Sequence, residues 1–133
     1  MYIDKVIKFL KFIFHISVLF LIVISLYPGS LIGYFIYGDF GHQPYLIENP
    51  FGTAINHFVY YFCITLLGLY LYLRNVNFKK LVYSLIFLAA TLELLQFIVP
   101  NRTFQLYDLI ANFLGVLIAY FLVKIYLFFK KYE

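Results

Sequence analysis

LELLQFIVPNRTFQLYDLIANFLGV, residues 92–116, decides the reading of this chain. Two strongly apolar segments meet at Pro100, and Glu93, Gln96, Arg102, Asp108 and Asn112 are set into them or into the bend between. Ionisable and amide side chains at membrane depth are costly, and they face a bundle interior where they carry function. The rest of the chain supports membrane depth. Of 133 residues, 65% are hydrophobic and only 12% charged, about half the charged share of a soluble domain. A water-soluble core of this size could not hide 17 Phe and 14 Tyr, so lipid is part of the solvent.

Working outward, runs of roughly 20 apolar residues, the length that crosses a ~30 Å hydrocarbon layer, occur four times. They span about residues 9–27, 51–73, 80–99 and 107–129, with a longer external loop at 28–50. Pro28-Gly29 ends the first and Pro100 the third; Asn112 and Lys124 lie inside the fourth. The first run is longer than a signal-peptide core and lacks an Ala-x-Ala cleavage signal, so it is read as a span. The expectation is an all-α integral membrane four-helix bundle forming a single domain over 1–133. The lone Cys63 excludes an internal disulfide and a cysteine metal cluster.

Cations orient the bundle. Lys5, Lys8 and Lys11 precede the first run, Arg74, Lys79 and Lys80 separate the second and third, and Lys130 and Lys131 follow the fourth. Loop 28–50 has no Lys or Arg and carries Asp39 and Glu48. Both termini are therefore expected in the cytoplasm of a cytoplasmic-membrane protein. Arg102 then falls in an external loop, as the exception to the rule, and its six-residue separation from Asp108 leaves it free to fold back on Asp108 or Glu93. Glu93 lies about 10 Å below the outer interface at 1.5 Å per residue, Asn112 at a similar depth, and His57 six residues into the second run. A polar site in the outer leaflet is expected from His57, Glu93, Gln96 and Asn112, with Arg102 and Asp108 capping it. The segment 29–49, with Phe35, Tyr37, Phe40 and Tyr45, is expected to lie over it as a lid.

Spacing adds detail. Glu93 with Gln96, and Asp108 with Asn112, are three and four apart and share helix faces. Ala111, Gly115 and Ala119 recur every fourth residue, a small-residue face that lets another helix approach closely. A tight hairpin of the third and fourth helices is expected along it, and the same face could seat a second copy or a larger partner.

The pattern Glu93-x-x-Gln96, Pro100-x-Arg102, Asp108-x-x-x-Asn112-x-x-Gly115 resembles the signature of the VanZ-like membrane proteins, named for a protein associated with teicoplanin resistance. His57-Phe58 followed by Tyr61 is similar to that family's earlier block, although Thr53 and Ala54 stand where it usually carries Asp-Lys. Gln105 replaces an acid and Ala119 a Gly. The resemblance runs from about Asn49 to Tyr120 and implies a setting at the outer membrane face, where cell-wall precursors and lipid-tailed glycopeptides meet.

Three functions follow as expectations. In the first, the pocket binds an amphiphile head group, such as that of a lipid-linked wall precursor or a lipoglycopeptide: Arg102 meets phosphate or carboxylate, and Glu93, Gln96 and Asn112 bond sugar or amide groups. In the second, Glu93 and His57 act as an acid/base pair on a lipid head group, with Arg102 stabilising an anionic transition state. In the third, the protein is a structural membrane scaffold that assembles with a larger partner through the Ala111, Gly115 and Ala119 face, and the polar residues only clamp helices, at about 0.6 to 2 kcal/mol per bond. No His-x-x-x-His or Cys pair suggests a metal, no cofactor motif is present, and the small basic groups suit membrane lipids rather than nucleic acid.

Overall fold

In the computed structural model, residues 2–48, 50–72 and 78–131 are described. Asn49, Leu73 and Arg74, which figured in the sequence reading, lie outside them. The described chain is helical: α1 Tyr2–Leu26, α2 Leu31–Tyr37, α3 Ala54–Tyr72, α4 Phe78–Leu95 and α5 Leu106–Lys130. Three stretches, Ile3–Leu26, Ala54–Tyr72 and Leu106–Lys130, are long and apolar enough to cross a membrane. The 18-residue α4 carries Lys79 and Lys80 in its first turn and Glu93 near its end, which lowers its apolarity below that of the other three.

The helices do not coincide with the apolar runs. α1 begins at Tyr2, well before residue 9, because Lys5, Lys8 and Lys11 interrupt hydropathy but have good helix propensity. α4 stops at Leu95 because the chain approaches Pro100, which has no N–H and disfavours helix at the residue before it. Between them, Gln96, Phe97 and Ile98 donate backbone bonds to the carbonyls of Glu93, Leu94 and Leu95, a series of i to i+3 turns. Gln96 therefore sits past the helix end, and it shares a turn with Glu93 rather than a helix face.

α2 has no counterpart among the four expected helices. Ser30 caps it by accepting the Gly33 N–H at 2.9 Å, and Gly38, at φ 72°, closes its carboxyl end. The chain then folds back: Ser30 N–H donates to Phe40 O at 2.7 Å, Gly33 packs on the His42 carbonyl, and Tyr34 stacks on Phe40 at 4.2 Å. Residues 28–48 are thus a folded flap, held by backbone bonds and by a stacked aromatic pair whose rings stay exposed.

Leu21 of α1, Tyr61 and Leu69 of α3, Val82, Leu85, Ala89 and Leu92 of α4, and Val116 of α5 form one buried core. Elsewhere large apolar side chains face outward, including Phe9, Phe87 and Phe121. Such continuous apolar exposure suits a surface in contact with hydrocarbon. α5 packs most extensively on α3, not on α4 as the hairpin expectation had it. Gly115 explains the close approach. A Cβ there would lie 2.6 Å from Phe58 O and 2.9 Å from Phe62 N, both α3 backbone. Ala111, Gly115 and Ala119 are buried within the chain.

Candidate functional site

Two groups of residues lie at the end of the molecule where α1 and α4 finish and α3 and α5 begin. The first is a closed polar layer. Thr53 Oγ1 donates to Asp108 Oδ2 at 2.7 Å, and the same oxygen lies 3.4 Å from His57 Nε2. The other ring nitrogen, Nδ1, is 3.1 Å from Asn112 Oδ1. Asp108 stands in the first turn of α5, where a carboxylate is favoured by the unpaired N–H groups and the helix dipole. Its Oδ1 is buried without a hydrogen-bond partner among the described residues.

Glu93 reaches the same helix end from α4. Its Oε1 accepts the backbone N–H of Gln105 at 3.0 Å, the residue that precedes α5 and has no capping side-chain bond of its own. Glu93, Gln96, Asp108 and Asn112 are all buried. The layer therefore joins α3, α4 and α5, but it is sealed. Asp108 belongs to this interior and does not cap the site at the surface. Among the described residues, Glu93 and His57 share no hydrogen bond, and both His57 nitrogens already have partners.

The second group lines an open cavity. A cavity of about 670 Å³ lies between α1, the flap and α3, a size within the usual range for ligand sites. Thr53, Asn56, His57 and Arg102 line its polar part. Glu93, Gln96, Asp108 and Asn112 do not reach its wall and stand behind it. The flap contributes Ser30, Ile32, Ile36, Pro44 and Leu46, so the segment expected as a lid over the polar residues lines this cavity.

Among the described residues, Arg102 is the only Lys, Arg, Asp or Glu on that wall. It does not pair with Glu93 or Asp108, as the free reach of its loop suggested. Its Nη2 donates to Ile24 O at 2.7 Å and its Nε to Tyr27 O at 3.1 Å, both carbonyls at the carboxyl end of α1. Helix ends leave such carbonyls unpaired, so Arg102 ties α1 to the α4–α5 bend. Burial lowers the Arg102 pKa from its ordinary value, opposed by the nearby carboxyls of Glu93 and Asp108; the guanidinium stays charged. A guanidinium has five N–H donors, and the two bonds leave three for a ligand.

Asn56, beside His57 on α3, was not among the expected site residues and holds the flap. Its Oδ1 accepts the Leu46 N–H at 2.9 Å and its Nδ2 donates to Pro44 O at 2.7 Å, pinning the flap to α3. An amide one residue before His57 in an apolar helix was the available signal. Replacing Asn56 with alanine is expected to accelerate proteolysis within residues 39–48 several-fold in reconstituted protein, with the helices left intact; an unchanged cleavage rate would mean the flap is held elsewhere.

Among the described residues, no three of His, Cys, Asp and Glu converge on a position that could hold a metal ion. A family model described as VanZ/LLP1 matches residues 12–129, nearly the whole chain, and the protein belongs to that VanZ-like family of membrane proteins. No curated protein and no solved structure matches it.

Proposed function

From membership of the VanZ-like family as premise, we propose that the protein binds an anionic amphiphile in the outer leaflet of the cytoplasmic membrane, its head group at Arg102. The observation that carries this reading is the cavity between α1, the flap and α3, where one arginine with unused donors is the sole fixed charge. Arginine suits phosphate and carboxylate, which accept from it in pairs. α4 serves as the fourth span, its exposed Lys79 and Lys80 at the inner interface beside the basic ends of α1 and α5. Both termini are then cytoplasmic and the cavity mouth faces outward. The physiological ligand is a lipid-linked wall precursor or a lipidated glycopeptide such as teicoplanin, and retention of that amphiphile is the link to resistance.

The buried layer favours a second role for its own residues. The His57–Asn112 and Glu93–Gln105 bonds are interhelical clamps that hold the cavity's back wall. Glu93→Gln is accordingly expected to retain binding, because an amide oxygen can still accept the Gln105 N–H. Glu93→Ala removes that bond and should lower stability by about 1–3 kcal/mol. A membrane-embedded acid/base enzyme would instead lose activity in Glu93→Gln.

Native mass spectrometry of gently extracted protein tests the binding reading. Wild type and Glu93→Gln should both retain an anionic amphiphile in preference to phosphatidylcholine. Retention that follows bulk lipid abundance in both would contradict it.

A further inference from the structure

The cavity is deeper than a head group requires. On α3 its wall continues from Asn56 and His57 through Tyr60 and Cys63 to Leu67. Leu67 is ten residues beyond His57, about 15 Å along the helix axis. On α1 the facing stripe is Ser17, Leu21, Ile24 and Ser25, spaced as one helix face. The Tyr60 hydroxyl donates across to Ser17 O at 2.6 Å, so that donor is engaged and the tyrosine bars the slot between the two helices. Beyond it the α3 wall is Cys63, Ile64 and Leu67, which offers a polar ligand nothing to bond.

Val59 and Cys63 line the cavity and are nevertheless exposed. The slot is therefore open sideways. Both residues lie within the apolar stretch Ala54–Tyr72, at a depth where the surroundings are hydrocarbon, so an occupant can enter from the bilayer with its tail leading. The Tyr60 bar narrows the passage and favours one extended chain over two.

We propose that this slot measures a single hydrocarbon tail: its occupant is a one-tailed anionic amphiphile whose chain runs beside α3 from the level of His57 to Leu67. This rests on the head-group reading above and adds the tail. An extended chain built from bonds of about 1.5 Å advances roughly 1.25 Å per carbon, so the depth accommodates about twelve carbons.

Cys63 supplies the test without mutation, because it is the one cysteine in the chain. Wild-type protein in dioleoylphosphatidylcholine nanodiscs is photolabelled with a hydrophobic aryl diazirine, whose carbene reacts with a thiol in hydrocarbon without its ionisation, in the presence of monoalkyl phosphates from hexyl to hexadecyl, and Cys63 labelling is followed by peptide mass. Protection is expected to rise with chain length and level off near dodecyl. A Leu67→Phe variant, which shortens the slot, should level off several carbons earlier; if it does not fold, the wild-type series decides alone. Dodecanol should protect less than dodecyl phosphate. Protection by phosphates that is independent of chain length, or equal protection by didodecyl phosphate, overturns the single-tail proposal and leaves the head-group reading standing. No protection by any phosphate overturns the single-tail proposal as well, and the head-group reading falls with it only if native mass spectrometry also finds no phosphate retained.

Discussion

Replacing Gly115 with valine should abolish the folded protein. Any side chain at this position meets the Phe58 carbonyl and the Phe62 amide nitrogen, and these cannot yield unless α3 moves away from α5. Overpacking of this kind costs about 1–3 kcal/mol and sometimes more, so Gly115→Ala should already lower the melting temperature measurably, and valine should leave aggregate in size-exclusion chromatography. Gly68 provides the comparison. A Cβ there would approach Phe14 Cε2 at 2.8 Å and Leu81 Cδ2 at 2.9 Å, but these are side-chain atoms that can rotate aside. Gly68→Ala should therefore cost less than Gly115→Ala. Equal melting temperatures for Gly115→Ala and wild type would mean that the close α3–α5 approach is wrong.

Arg102→Ala should have the largest effect on binding. The substitution removes the one fixed charge from the cavity wall and also frees the Ile24 and Tyr27 carbonyls that the guanidinium holds. Hydrogen bonds to charged groups contribute about 1.5–3 kcal/mol, and 1.4 kcal/mol is tenfold in affinity, so affinity for dodecyl phosphate should fall at least about tenfold. Arg102→Lys should fall between the two. A lysine keeps the charge but lacks the planar fork that can hold two carbonyls and a head group together. Affinity measured below the melting temperature of each variant separates the lost contact from the loosened α1. Unchanged affinity in Arg102→Ala would remove Arg102 from the head-group site.

Much of this was legible in the sequence. The long helices announce themselves by apolar length, and counting residues inward from Pro100, Asp108 and Phe51 puts Glu93, Asn112 and His57 near the same end of them. What spacing along one helix cannot give is the partner across the interface. Ala111, Gly115 and Ala119 mark a close approach, but nothing in their periodicity distinguishes α3 from α4, and the nearer neighbour in sequence was the wrong one. Arg102 was legible as a charge within reach of two carboxyls. Its actual partners are backbone carbonyls of α1, more than 70 residues away, and backbone groups leave no mark in a residue pattern.

The flap illustrates the opposite case. Ser30 and Gly38 bracket α2 with residues favoured at helix starts and ends, so the signal for a short helix was present. It was masked by the general apolarity of the segment, which reads equally well as an interfacial loop. Glu93, Asn112 and His57 were legible as polar residues set into three helices, yet residue types alone do not tell a sealed clamp from a ligand wall. That distinction comes from the geometry, in which Glu93, Gln96, Asp108 and Asn112 lie behind the cavity and Asn56, His57 and Arg102 line it.

Photo-crosslinking with an alkyl phosphate carrying a diazirine in mid-chain separates the two locations most directly. Reconstituted wild-type protein would be irradiated, digested and sequenced by mass spectrometry to find the labelled peptides. Labels are predicted on α1 between Ser17 and Ser25 and on α3 between Val59 and Leu67, with an excess of unlabelled dodecyl phosphate suppressing them. Competed labels confined instead to α4 and α5, around Glu93 and Asn112, would place the ligand in the polar layer and contradict the cavity between α1, the flap and α3.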